Sequence, residues 1–390
     1  MAAPPPTSHR PRLLELAAVS LKLGLISFGG PAVHIALLEN EVVARRNWMS
    51  RQHFLDLLGV TNLIPGPNST EMMLHVGYER GGIAGMLIAG AGFILPATLI
   101  TGTLSWLYVH YGTLPSVAPF LAGIKPVVFA IILAALWRLG KVAAYHPRLW
   151  VLGLIVMSAV IVGLDEINAL IGGTILGTLW FWSRARIHVV QGTSLGLINP
   201  SDTTASGLLA LGSSAAAVSL SQLFWFFLKV GAVLYGSGYT LVAFLEGGLV
   251  RDRGWLTQAQ LLDAIAVGQF TPGPLLSTAT FIGYVLAGFP GAAVATVGIF
   301  LPAFVLVAVV NPLVPYLRHA RWSAAFLDAV NIAALGIMAA VTLRLGMQVL
   351  TTFGAWVLAV TTVFLLLRFR LHPAWLIAGG ALVGWLFATA

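Results

Sequence analysis

The sequence predicts an all-α polytopic membrane protein made of two inverted-topology repeats. Three observations predict it. The 390-residue chain is 58% apolar and 9% charged, with a mean hydropathy of +0.91, whereas a soluble domain carries about 25% charged residues. Its apolar stretches reach the roughly 20 residues needed to span a bilayer. Its two halves also superpose on each other, with the charge of equivalent loops exchanged. The composition excludes a water-soluble globular protein, a disordered chain and a secreted disulfide scaffold. Cysteine is absent, so there is no disulfide, thiolate metal site or cysteine nucleophile. The 21 Lys and Arg exceed the 13 Asp and Glu to give a net +8. At this charge density the excess reads as a membrane protein's cytoplasmic rim, not as a nucleic-acid surface.

Residues 1–12, MAAPPPTSHRPR, are Pro-rich and polar. They lack the apolar core and cleavage site of a signal peptide and are expected to form a disordered arm. Apolar stretches follow at 13–37, 83–109, 117–139, 149–164, 167–183, 221–245, 289–315, 324–346, 353–368 and 372–389. Two more, 52–76 and 259–285, are interrupted by Pro-Gly-Pro. Only helices and closed barrels satisfy their backbones in lipid, and these runs are too long for barrel strands. The polar stretch 184–205 separates the halves. The expected organisation is a first repeat over 13–186, a linker over 187–218 and a second repeat over 219–390. Residues 206–219 are either an extra crossing or an extension of the next helix. The total is about 10–13 transmembrane segments, with broken or re-entrant helices at Pro-Gly-Pro.

A shift of 207 places Lys22 on Lys229, Gly29 on Gly236, Glu39 on Glu246, Trp48 on Trp255 and Asp56 on Asp263. Pro65-Gly66-Pro67 falls on Pro272-Gly273-Pro274, and from there a shift of 206 continues through Leu95-Pro96 on Leu301-Pro302 and Arg138 on Arg344. Apolar bias cannot produce these matches. The loop 110–117 has no Lys or Arg, while its partner has Arg318 and Arg321. The loop 141–148 has Lys141 and Arg148, while its partner 347–354 has none. By the positive-inside rule, equivalent loops lie on opposite sides of the membrane. Inverted repeats of this kind are a common plan of secondary transporters.

Pro-Gly-Pro within an apolar run breaks a helix, because Pro lacks a donor and Gly frees the backbone. A broken helix survives in lipid only where it packs in protein or lines a cavity, and its fresh N-terminus favours an anion. The expected substrate-binding set is Asn62, Pro65, Gly66, Pro67, Asn68 and Ser69 in the first half, with Thr271, Pro272, Gly273, Pro274 and Ser277 in the second. A second break, Gly29-Gly30-Pro31, matches Gly236-Ser237-Gly238. Gly29, Gly30, Pro31, Gly236 and Ser237 therefore join that set. Lys22 and Lys229 lie inside apolar runs, where a charge is costly and usually functional, and are expected to pair with an anion. Glu71, His34, Asp56 and Asp263 are the proton-coupling candidates. Surface salt bridges are the expectation for Glu39 and Glu246. No HExxH, P-loop or Gly-x-Ser-x-Gly motif is present, so an enzyme is not expected. No metal or cofactor is expected either.

Phe28-Gly29-Gly30-Pro31, the spacing from Glu39 to Trp48, the Pro-Gly-Pro segment and the Leu-Pro after it resemble the chromate ion transporter family. The match covers nearly the whole chain in two copies, as in the family's long, two-domain members. The resemblance implies a multi-pass protein of the bacterial inner membrane that exports chromate, driven by the membrane potential or a proton gradient. Sulfate has the same shape and charge, so a sulfate or other oxyanion carrier is the alternative. A membrane enzyme acting on a lipid phosphate is a more distant one. The partners expected are the oxyanion and the bilayer, with no nucleic acid; a homodimer is left open. The second copy departs from the family pattern where Gly-Gly-Pro becomes Gly236-Ser237-Gly238.

Overall fold

The computed structural model describes residues 9–112, 114–185, 218–235, 238–314, 323–369 and 371–389. Gly236, Ser237, Arg318, Arg321, all but residue 218 of the 187–218 linker, and all but 218–219 of the stretch 206–219 lie outside them. The described residues form helices and no strand. Repeat 1 contains α1 (His9–Ile26), α2 (Pro31–Glu39, prolonged by a π-helical turn Asn40–Arg45), α3 (Arg51–Thr61), α4 (Asn68–Tyr111), α5 (Ala118–Ala143), α6 (Pro147–Val162) and α7 (Glu166–Ala185). Repeat 2 contains α8 (Leu220–Val233), α9 (Leu241–Leu245, prolonged by a π-helical turn Glu246–Arg251), α10 (Gln258–Phe270), α11 (Thr278–Val310), α12 (Ser323–Val349), α13 (Phe353–Arg368) and α14 (Pro373–Thr389). Among the described residues, four helical stretches are long and apolar enough to cross a membrane: Asn68–Tyr111, Ala118–Ala143, Leu275–Val310 and Ala324–Val349.

The stretch 13–37, largely apolar, is not one straight span. The chain turns back at Gly29-Gly30, so that Lys22 on α1 pairs with Glu41, and Glu15 pairs with Arg46 at 2.6 Å. α3 and the start of α4 form a second such hairpin. Thr61 Oγ1 meets Met72 Sδ at 3.3 Å near its closed end, and His53 faces Glu79 at 3.6 Å near its open one. Each repeat therefore begins with two helical hairpins, one at each of its two expected breaks. Equivalent hydroxyls start the returning helices: Ser50 Oγ accepts from the His53 amide, and Thr257 forms a capping box with Gln260. Equivalent arginines also cover equivalent indoles, Arg46 at 5.6 Å over Trp48 and Arg253 at 5.3 Å over Trp255.

α4 is itself folded in two. Gly81 leaves the helical region and Gly82 takes φ +59°, a left-handed conformation open to glycine at little cost. The arms then lie so close that a Cβ on Gly77 would sit 2.6 Å from the Gly85 carbonyl oxygen. α11 repeats this at Ala287 and Gly288 (φ +61°), with Gly283 against Gly291 and Thr280 bonded to Thr296 at 2.8 Å.

The long helices interlock. α6 and α7 pack on α12 of the other repeat, and α13 and α14 pack on α5. Ala329 fills the notch at Gly177, and Gly123 meets Gly380 and Gly384. Ile332 lies beside Gly153, Gly336 beside Val156, and Arg344 reaches the Val160 carbonyl, so α12 runs parallel to α6. α6 returns from α5 through the short link 144–146, so α12 runs opposite to α5, its own equivalent. The repeats are inverted.

Candidate functional site

The two kinds of break meet between the repeats. The amide of Gly66, in the first Pro-Gly-Pro turn, donates to the Leu234 carbonyl at 2.6 Å. The amide of Gly273, in the second, donates to the Ser27 carbonyl at 2.7 Å. Residues 66 and 273 are equivalent, and so are 27 and 234, so each turn caps the interrupted first helix of the opposite repeat. Both glycines have positive φ, +149° and +91°. Arg138 and Arg344 form a second reciprocal pair. Their Nη2 atoms donate to the Leu366 carbonyl at 2.6 Å and the Val160 carbonyl at 2.5 Å, which are again equivalent positions.

A buried cleft of about 20 Å³, room for one water, lies at this junction. Gly29, Gly30, Pro31 and His34 line it from the first break, and Pro67 and Ser69 from the start of α4. Gly238 and Tyr239 come from the break before α9, and Gly268, Gln269, Thr271, Gly273, Pro274, Leu275 and Leu276 from the second Pro-Gly-Pro turn. Two helices, α2 and α4, start here after Gly30 and Pro67, and a 3-10 turn, Leu275–Ser277, leads into α11 after Pro274; none has a side-chain cap. Their leading amides precede the first intrahelical acceptor, which is the arrangement that receives an anion. His34 is buried, with Nδ1 3.3 Å from Ser69 Oγ and Nε2 without a partner. Thr271 Oγ1 donates to the Val267 carbonyl at 2.7 Å and lies 3.4 Å from Thr101 Oγ1.

The expected site residues are distributed as follows. Gly29, Gly30, Pro31, His34, Pro67, Ser69, Thr271, Gly273 and Pro274 line the cleft. Pro65, Gly66, Asn68, Pro272 and Ser277 belong to the turns and helix starts just behind it. Asn62 and Asn68 bond to each other at 2.6 Å across the first turn. Lys22 and Lys229 are exposed and are not among the lining residues; Lys22 pairs with Glu41. Glu71 lies fully buried beneath the Gly66 turn. Asp56 accepts from Gln52 at 3.1 Å on α3. Asp263, 4% exposed, accepts from the Tyr108 hydroxyl at 2.9 Å and ties α10 to α4. Glu39 forms the expected surface pair, with Arg51 at 3.1 Å. Glu246 does not; it is buried, 3.6 Å from Arg344.

Sequence reasoning missed Tyr239, which sits beside the Gln269 side chain in the cleft. Its equivalent is Ala32, so the duplication gave no signal for it. Gly268 is equally unmarked, whereas Gln269, polar within an apolar run three residues before the turn, is legible as one of the turn's polar neighbours.

No solved structure matches the chain. Among curated proteins, the chain is 32% identical to a chromate transport protein of Cupriavidus metallidurans, over 95% of this chain and 92% of that one. It is 33% identical to a chromate transport protein of Pseudomonas aeruginosa, over 99% and 94%. It is 32% identical to a probable chromate transport protein of Synechococcus elongatus, over 86% and 85%. The chromate transporter family profile matches residues 14–181 and again 221–385, one match for each inverted repeat. This multi-pass membrane protein, with its reciprocal broken-helix turns, belongs to the chromate transporter family.

Proposed function

We propose that the chain exports chromate across a bacterial inner membrane, with the membrane potential as the main driving force. The observation that carries this reading is the convergence of uncapped helix starts from both inverted repeats on one buried cleft. Backbone amides and helix N-termini bind a tetrahedral oxyanion without a full positive charge. The donors proposed are the amides that follow Pro67 and Pro274, together with His34, Ser69, Gln269 and Thr271. Lys22 and Lys229, exposed away from the cleft, are left to the approach path. The chain's lack of cysteine suits an oxidising cargo, since thiolates are the side chains most readily oxidised.

Energetics favour the outward direction. Moving one charge through 100 mV is worth about 2.3 kcal/mol, so a dianion leaving a negative interior gains about 4.6 kcal/mol. That supports a concentration ratio of about three orders of magnitude. The cleft holds only about one water, so the hairpins must part to admit an oxyanion. This is the gating expected when one repeat moves against the other around a fixed site.

Chromate uptake into everted vesicles is the test. Accumulation should follow an interior-positive potential, and sulfate should compete weakly. Flux that ignores the potential removes the proposed driving force. Sulfate flux in the absence of chromate flux moves the substrate to the alternative oxyanion.

A further inference from the structure

The two Pro-Gly-Pro turns are equivalent in sequence, but different groups fill them. In repeat 1 the Glu71 carboxyl lies directly beneath the Gly66 Cα, where any side chain at 66 would overlap it. Glu71 is fully buried, neither of its oxygens has a hydrogen-bond donor, and no described cation pairs with it. The titratable group that faces it from repeat 2 is the Tyr235 phenol, whose hydroxyl is turned to the Leu63 carbonyl at 3.3 Å. Along α4, His75 is turned away to Asn311 at 2.6 Å. From α2, His34 bonds Ser69. An ionised carboxylate in such a place would be a bare buried charge, and the neutral acid avoids that cost.

In repeat 2 the position of Glu71 is held by Ser277, buried and with an unpartnered Oγ. No acid fills this turn. Gly273, Pro274, Leu275 and Leu276 open onto the cleft; from repeat 1's turn Pro67 and Ser69 do so, and Gly66 does not. His34, 4% exposed and with Nε2 unpartnered, lines the same cleft. One turn therefore has an acid of its own, and the other presents free donors.

Resting on the oxyanion reading above, we propose that the turns divide the work: repeat 2's turn receives the oxyanion, and Glu71 beneath repeat 1's turn is a proton site that must be occupied for the oxyanion to bind. Glu71 lies behind the cleft wall, two residues along α4 from the lining residue Ser69; two anions so close in a dry interior repel strongly, so the carboxylate form of Glu71 expels the cargo and the acid form admits it. Binding to the ionised protein takes one proton from solution onto a Glu71 oxygen. Release of that proton accompanies release of the oxyanion, so the coupled step carries one net negative charge outward and about half the electrical energy given above for the bare dianion.

The test measures chromate binding to the purified, full-length protein between about pH 7.5 and pH 9.5, where the cargo stays a dianion, by calorimetry in two buffers of different ionisation enthalpy. Above the Glu71 transition, the wild type should lose affinity by about tenfold per pH unit and take up one proton on binding. Glu71→Gln should bind at high pH as tightly as the wild type does at low pH, with no proton uptake. Ser277→Glu, which puts an acid into the vacant turn, should abolish binding while the protein keeps its monodisperse elution. A wild-type affinity that is flat across the range overturns the proposal, as does a pH dependence that survives in Glu71→Gln or undiminished binding by Ser277→Glu. A Glu71→Gln protein that elutes normally but binds nothing also overturns it. If the wild type binds neither chromate nor sulfate at any pH, the oxyanion reading itself fails.

Discussion

The hairpin pair α2–α3 and its equivalent α9–α10 derive from one duplicated sequence, yet they occupy opposite environments. Leu241 to Leu245 are each at most 3% exposed, and α10 is buried from Leu261 to Ala266. α9 packs on α12 and α7, and α10 packs on α5 and α14. In repeat 1, α3 packs chiefly on α4. Leu55 is 44% exposed, while its equivalent Leu262 is 2% exposed. A cluster of ions accompanies the buried pair. Glu166 of α7 takes both Nη atoms of Arg251 at 2.8 and 3.0 Å, with Arg344 within 3.7 Å of Glu166 and 3.6 Å of Glu246. The equivalents of Glu166, Arg251, Arg344 and Glu246 are His372, Ala44, Arg138 and Glu39, a set without the central Arg–Glu pair. The difference teaches that sequence symmetry does not impose conformational symmetry: one repeat is clasped to the long-helix core and the other is not. Alternating access by inverted repeats requires such inequality at any instant.

The largest expected effect comes from breaking the clasp. Arg251→Ala removes both hydrogen-bonded donors of Glu166, which is 1% exposed and keeps only Arg344 at 3.7 Å, and should cost about 3 kcal/mol, read as a fall in the thermal midpoint in detergent. Next comes a chemical probe of the two environments. In the natively cysteine-free chain, a small maleimide should modify Leu55→Cys at least about tenfold faster than Leu262→Cys in detergent; equal rates would erase the comparison. Smaller again are Gly82→Ala and Gly288→Ala. Each should cost about 2 kcal/mol, and the two should be alike, because the fold in α4 and that in α11 share one backbone conformation. Smallest is Arg51→Ala, whose exposed pair with Glu39 should contribute less than about 0.5 kcal/mol to the same thermal measurement.

Much of this architecture can be read from residues that resist apolar bias. Pro65-Gly66-Pro67 and Pro272-Gly273-Pro274 mark the turns, and the exchanged loop charges mark the inversion. The fold-back at Gly29-Gly30 is less legible, because a broken hairpin and a straight span share the same run of apolar residues. Gly81-Gly82 carries a turn signal, but the continuous apolar stretch after it conceals the approach of Gly77 to Gly85. Intramembrane lysines attract attention because a charge there is costly, yet Lys22 meets that cost with Glu41, far along the chain. Gln269 can be read as a polar neighbour of the second turn, but Tyr239 reaches the cleft only through the pairing of the repeats. The clasped and unclasped states cannot be read at all, since duplicated sequence implies equal halves.

The reciprocal amide bonds, Gly66 to Leu234 and Gly273 to Ser27, also bear on how the chain is made. Neither half contains the acceptor for its own turn, so a ribosome that has completed only repeat 1 has inserted a bundle whose central donor still awaits a carbonyl not yet translated. Cutting the gene between the halves should therefore give two products that are each short-lived alone and protect one another when co-expressed, assembling as obligate heterodimers.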